Sequence, residues 1–399
     1  MISRWKWREP QPARHLSTWA IVLGAVIVLG IGVAAFTVLL WRYGGLDAIR
    51  TASAITVAAG GAAALLLVAR RQRSTELTLE HQREVALAAE RDAAEQRITE
   101  LYAHAVDQLG AEKAPVRLGG LHALERLAQN NPVQRQTIID VICAYLRMPY
   151  TPRMIKRRVG RPPRTRTPRY EERRQELQVR LTAQRILSAH LRPEAAEVFW
   201  DNIDLDLTEA HLHQLDLSAC HVRRAQFDGA TFDGNTMFYR TEFAGNAGFE
   251  RATFAGDVEF DWATFTWYAQ FGEATFVGTA GFLGVEFVTY SWFRGATFAA
   301  TAEFYDAKFT QYAEFRGAEF AGDALFGEAK FAAKKEFDDA RVARARRVTL
   351  PTGWITRAAQ PVEGEEEGWL YVVRDEDSSE QPAEAQGEGE VRAGSETGK

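Results

Sequence analysis

Between Phe227 and Phe337 phenylalanine returns at intervals of five and six residues in strict alternation, an 11-residue repeat carried without a break. Upstream, Leu207, Leu212, Leu217 and Val222 continue the row at intervals of five. Two positions before the large residue stands a small one, as at Ala210, Cys220, Ala225, Ala252, Ala263, Ala274 and Ala296, so the unit is small-x-large. A helix fits this poorly. At about 100° per residue, phenylalanines five apart diverge by about 140° and spread over two faces. Gly234, Gly245, Gly256, Gly278 and Gly322, two residues after a Phe in the longer intervals, would each cost about 1 kcal/mol in a helix. A short extended segment instead points both small and large side chains inward, and the remaining residues turn a corner, where glycine supplies positive φ cheaply. The expected architecture is a solenoid whose core is a stack of rings, with Phe254, Phe260, Phe265, Phe271 and Phe276 at its centre.

With these residues in view, the stretch "AHLHQLDLSACHVRRAQFDGATF" resembles the pentapeptide-repeat family, whose motif places Ala at i−2, Asp or Asn at i−1 and Leu or Phe at i. The likeness runs from Ala210 to Phe337, about a third of the chain. It implies a right-handed quadrilateral β-helix with one pentapeptide per face, here over residues 203–342. The additional residue in alternate repeats departs from the motif and is placed as a bulge at two opposite corners of each coil. That gives about 22 residues per turn and about six turns, a rod of roughly 30 Å at a strand spacing of about 4.8 Å. Outward acidic residues read as a solvated face, although the 20 acidic and 11 basic residues between 207 and 342 leave the rod negative. In soluble topoisomerase-protecting members of the family such rods imitate DNA, which the resemblance offers as an alternative role.

The rest of the chain is organised differently. Ser17–Trp41 and Thr51–Ala69 carry no charge, and about 20 such residues in a helix cross a hydrocarbon layer of roughly 30 Å. Transmembrane helices are expected over 17–41 and 51–69. Arg4, Lys6, Arg8 and Arg14 before the first and Arg70, Arg71 and Arg73 after the second outnumber the cations of the connector, which orients both termini to the cytoplasm of the cell inner (plasma) membrane. Residues 1–16 are then a cytoplasmic N-terminus. Residues 70–147 read as a helical stalk and helical subdomain, and the segment "RITELYAHAVDQLGAEKAPVRLGGLHALERLAQ" resembles one that precedes pentapeptide repeats in many bacterial membrane proteins. The stalk leaves an oligomer open. Residues 148–174 read as a basic Pro-rich linker, 175–192 as a linker helix, 343–373 as a C-terminal cap of two strands around a loop, and 374–399 as a disordered acidic tail.

Two constellations invite chemistry. Arg157, Arg158, Arg161 and Arg164 form a polyanion-binding candidate for lipid headgroups or nucleic acid, and "GRPPR" at 160–164 resembles an AT-hook. His211, His213, Cys220 and His221 could suggest a metal, but residues ten apart in the coil lie on opposite faces and Cys220 points inward. Cys143 and Cys220 form no framework and point to a reducing compartment. No motif calls for a cofactor or for catalysis. The function expected is a non-catalytic membrane-anchored scaffold presenting a cytoplasmic rod to a protein partner, with a nucleic-acid role as the alternative.

Overall fold

The computed structural model describes residues 18–43, 46–150, 168–344, 346–358 and 368–375. The polyanion candidates Arg157, Arg158, Arg161 and Arg164 lie outside the described residues, as do 1–16 and all of the acidic tail beyond Asp375. Two compact units divide between Gln96 and Arg97.

The first unit contains helix α1 (Thr18–Tyr43) and most of α2 (Leu46–Leu109). On α1 Leu23, Val26, Ile31 and Val38 face outward, and on α2 Val57 and Leu65 do so. Among the described residues no helix is long and apolar enough to cross a membrane. The two spans expected over 17–41 and 51–69 therefore have no counterpart there. In the second, the run Ala58–Ala64 of alanine and glycine thins the apolar surface. α2 continues unbroken from that segment into the stalk.

The second unit begins with the end of α2, on which α3 (Ala114–Asn130), α4 (Arg135–Arg147) and α5 (Pro168–His190) build a small core. Leu121, Leu124, Ile138, Ile142, Val179 and Leu187 meet there. α3 crosses close to α2 at Gly120, where a Cβ would lie 2.7 Å from the Ala105 carbonyl oxygen. Arg180, buried on α5, donates to Glu176 at 2.9 Å and to the carbonyls of Leu146 (2.9 Å) and Met148 (2.6 Å), so one guanidinium satisfies the open end of α4. Arg117 of α3 reaches the same Glu176 at 2.9 Å. α5 starts seven residues earlier than the expected 175, because Pro168 suits a first helical turn and Glu171 faces the positive end of the helix dipole. The basic linker is correspondingly shorter than 148–174.

Residues 204–349 wind into a β-solenoid of the right-handed type, about seven turns. Four faces follow one another around the coil, with sheets of seven, nine, six and six strands. Partners lie 20 residues apart in the first coil (Leu205 with Ala225, Leu212 with Phe232), 21 at Val222 with Phe243, and 22 thereafter, as for Phe254 with Phe276, until the last step of the third face, where Ala324 pairs with Val348 24 residues on. The rod is about one turn longer than expected, because the leucine row from Leu205 forms a full coil and Val348–Thr349 adds to the third face.

Every phenylalanine of the row except Phe331 is buried. The rings form four ladders, one per face, in which successive coils stack nearly parallel. In one of them Phe249, Phe271 and Phe293 are spaced 4.9 and 4.8 Å with interplanar angles of 4° and 5°. Rings across the wide corners meet edge to face, as Phe265 and Phe271 at 5.9 Å and 78°, and so do rings on opposite faces, as Phe260 and Phe271 at 5.4 Å and 83°. Both arrangements suit the ring quadrupole: offset stacking along the rod and T-shaped contact across it.

The corners alternate in kind. After the second and fourth faces the extra residue makes a wide corner, and after the first and third the corner is tight. Positive φ falls at the tight ones, on Gly229, Arg240, Arg251, Trp262, Glu273 and every eleventh residue to Asp339. Of the glycines expected to supply it, only Gly234 has positive φ. The others are needed for close approach between coils. A Cβ on Gly256 would lie 2.6 Å from the Gly234 carbonyl carbon, and one on Gly278 would lie 2.5 Å from that of Gly256.

Both ends of the rod are covered. At its start, the Gln136 side chain of α4 donates to the Asp204 carbonyl (3.0 Å) and accepts from its amide (2.9 Å). Gln184 of α5 does the same for His213, at 2.9 and 3.1 Å. Each carboxamide thus stands in for a neighbouring strand at an otherwise open edge. At the far end Trp369–Arg374 pairs antiparallel with Arg341–Ala343 and then with Trp354–Ala358.

Candidate interaction surface

The alternation that fills the interior also fixes what stands outside. A wide corner between the fourth and first faces places two or three consecutive side chains toward solvent, and the same positions recur 22 residues later. In the middle coils those positions hold Trp267 and Tyr268, then Tyr290, then Tyr312. The neighbouring strand of the first face adds Trp292. Tyr268 and Trp292 stack at 5.2 Å and 13°. Tyr290 leans on both, at 5.4 Å from Tyr268 and 6.0 Å from Trp292, and meets Tyr312 at 6.2 Å. Trp267 is 53% exposed and Tyr290 38%. Five aromatic side chains therefore form one continuous strip on three adjacent coils.

Charge enters at the strip's distal end. By strand register Trp292 lies beside Glu314, and Glu314 beside Glu336. Tyr312 donates its hydroxyl to Glu336 at 2.6 Å, and Lys334 pairs with the same carboxylate while its ammonium sits 5.5 Å from the Tyr312 ring centroid. The Tyr312 phenol is held above its ordinary pKa, first by desolvation and then by the hydrogen bond to Glu336. The Glu336 carboxyl is held below its ordinary value, mainly by the Lys334 contact and then by Tyr312. At the proximal end Ala247 and Gly248 lie in register with Ala269 and Gln270, just after Tyr268, and carry little side-chain bulk.

The residues singled out in the sequence have other places. Phe254, Phe260, Phe265, Phe271 and Phe276 are interior rings, each at most 1% exposed. His213 pairs with Asp233 at 3.1 Å and His221 with Glu242 at 3.2 Å, on different faces, and Cys220 is buried against the Ser188 carbonyl. Burial pushes the thiols of Cys143 and Cys220 up to about 12. Among the described residues no group of three or more His, Cys, Asp or Glu could hold a metal ion. The strip was not singled out in the sequence. Its signal was present as Tyr268, Tyr290 and Tyr312 at 22-residue spacing, but it becomes legible only when the corner is known to point outward.

The family profile described as pentapeptide repeats (9 copies) matches residues 217–264, 238–283 and 260–308, three overlapping stretches of the wound region. Over those residues the rod is similar to pentapeptide repeats. No curated protein and no solved structure matches the chain. The matched stretches include Trp267, Tyr268, Tyr290 and Trp292, so four members of the strip lie within them and Tyr312 just beyond.

Proposed function

We infer that the chain is a non-catalytic scaffold that presents its pentapeptide-repeat rod to a protein partner through the aromatic strip. The strip itself carries this reading. Tyr and Trp are enriched where protein surfaces bind, because they supply large contact area with few rotatable bonds, and here they are clustered on a rigid backbone. Cross-coil ion pairs such as Arg341 with Glu319 at 2.6 Å and Arg223 and Arg224 with Asp204 at 2.6 and 2.7 Å neutralise part of the acidic surface. That favours a protein partner over imitation of DNA. A photo-reactive phenylalanine analogue at Tyr290 is expected to give a covalent adduct in cells, and one at Thr275 on the second face is expected to give none. Equal yields at the two positions, or no adduct at Tyr290, would remove the strip from the reading.

The same proposal tethers the rod to the inner (plasma) membrane through 17–41 and 51–69, with both termini cytoplasmic. Its support is the uncharged run Ser17–Trp41, the 26-residue helix built from it, and the outward apolar side chains of α1. A reporter joined after Arg73 is expected to read cytoplasm and one inserted at Gly44 to read the exterior. A soluble full-length protein, or an exterior reading after Arg73, would overturn the tether.

A further inference from the structure

On the fourth face the outward residues change sign along the rod. Its strands run from His221–Val222 to Lys330–Phe331, and between the inward rings Glu242, Thr264, Glu286, Lys308 and Lys330 stand outward in successive coils. Glu242 and Lys330 have partners within the chain, His221 at 3.2 Å and Asp306 at 3.2 Å. Glu286 and Lys308, side by side in register, form no ion pair among the described residues. We propose that two copies of the rod pack fourth face to fourth face, antiparallel, about a two-fold axis between the coils of Glu286 and Lys308.

The charges select this arrangement. With the two rods pointing the same way, each residue would meet its own copy, glutamate on glutamate and lysine on lysine. With one rod turned end for end about that axis, Glu286 of each copy meets Lys308 of the other, and Thr264 meets Lys330. One symmetry operation thus matches both unpaired charges twice.

The edges of the face fit the same axis. At the tight corner that precedes it, Trp262 is 49% exposed and Tyr305 45%. Both rings lean one coil toward the outer end, since a Cβ on Gly284 would lie 2.8 Å from Trp262 Cε3 and one on Gly327 would lie 3.0 Å from Tyr305 Cδ2. Trp262 therefore covers the step between the coils of Thr264 and Glu286, and Tyr305 the step between those of Lys308 and Lys330. The two-fold axis superposes these steps, so each indole faces the phenol of the other copy. The carboxylates at that edge are engaged within the chain: Asp306 by Lys330, Glu328 by the Tyr305 hydroxyl, and Asp261 by the Leu283 amide at 2.9 Å. At the wide corner on the other side, residues 266–268, 288–290 and 310–312 carry no charge, and Trp267 comes opposite Ala332 and Ala333.

The ends of the rod stand clear of this contact. The closing strands Trp354–Ala358 and Trp369–Arg374 extend the second face, opposite the fourth. Because the axis lies between the fourth and fifth of six strands, the first coil and the helices that cover it fall two coils past the Lys330 strand of the other copy. The matched coils from Thr264 to Lys330 span about 19 Å, and the face from Trp262 to Trp267 about 16 Å, which is roughly 300 Å² of flat area per copy before the corner rings are counted. That is less than the roughly 800 Å² per partner of a standard interface, which makes the pairing a transient, concentration-dependent one. It goes beyond the scaffold reading, because the stack of Tyr268 on Trp292 lies on the first-face side of the wide corner and stays open to another partner.

The test uses the full chain in detergent, with the dimer dissociation constant read from a concentration series in sedimentation velocity. Glu286→Lys and Lys308→Glu are each expected to weaken association about tenfold, because each turns two attractions into two repulsions. The double variant Glu286→Lys with Lys308→Glu is expected to restore it. Both side chains face outward, so all three variants should melt like the parent. Under mild oxidation, a mixture of Thr264→Cys and Lys330→Cys proteins is expected to give a disulfide-linked dimer and either protein alone none, because like positions stand three coils, about 14 Å, apart. A chain that stays monomeric, or a dimer indifferent to both single reversals, as one built on the stalk of α2 would be, would overturn the proposal. So would a double reversal as weak as the singles, or disulfides formed by one variant alone.

Discussion

Phe271→Ala is expected to destabilise the rod by about 3 to 5 kcal/mol, a loss of roughly 8 to 15 °C in Tm for a domain of this size. Phe271 is fully buried between Phe249 and Phe293 and touches Phe260, Phe265 and Phe282 edge-on. Its removal leaves a hole walled by five rings. The neighbours cannot collapse into it, because the backbone of each coil is pinned to the next: the Phe271 amide donates to the Trp292 carbonyl at 2.6 Å, and that of Phe249 to the Gln270 carbonyl at 2.7 Å. The cavity therefore persists, which places the cost at the upper end of large-to-small substitutions. Glu273→Gln, exposed two residues on, is expected to change stability by less than about 0.5 kcal/mol. Thermal and denaturant melting of the two variants beside the parent is the check, and indistinguishable curves would refute the ring stack as the source of stability.

The second large effect concerns a single methyl group. Gly278→Ala is expected to cost about 2 to 3 kcal/mol and to disturb the local winding, whereas Gly317→Ala should cost only about 1 kcal/mol. At Gly278 the added Cβ would lie 2.5 Å from the Gly256 carbonyl carbon and 2.6 Å from the Asp257 amide nitrogen. Neither side can yield: the Val277 amide is bonded to the Phe254 carbonyl at 2.9 Å, and the Thr279 amide to the Asp257 carboxylate at 2.8 Å. Gly317 has φ of +66° and open space around the new atom, so only the backbone preference opposes alanine. Melting the two variants side by side separates crowding from conformation. If Gly317→Ala is the more damaging, the wide corners are not closely stacked.

The alternation of five and six was sufficient to read a solenoid with inward rings, because that follows from which residues must share an interior, whereas the four-sided winding with its two wide corners came from the resemblance to pentapeptide repeats. The role of the corner glycines was not. Positive φ falls on Arg251, Trp262 and Glu273, whose outward side chains leave no compositional mark, while Gly256 and Gly278 answer to the coil beneath them. The capping glutamines were hidden for a related reason. Gln136 acts 68 residues from Asp204 and Gln184 acts 29 residues from His213, and nothing local distinguishes either from a solvated helix residue. Pro168 was read as part of a run of linker prolines although it opens α5. The aromatic strip needed the register first and the tyrosines second, the reverse of the order in which a sequence is met.

The steady 22-residue step has a consequence for how such a chain can change. Each coil from the third onward meets its neighbours through the same ring ladders and the same backbone bonds, and both closures act only on the terminal coils. Duplication or loss of one 22-residue unit would move the far closure by about 4.8 Å and leave every remaining coil with its former kind of neighbour. The distance between the helical base and the outer end is thus an adjustable quantity, set in equal increments by gene-level events that need no compensating change elsewhere. The aromatic strip, confined to three coils, can then be carried nearer to or farther from the base as a unit.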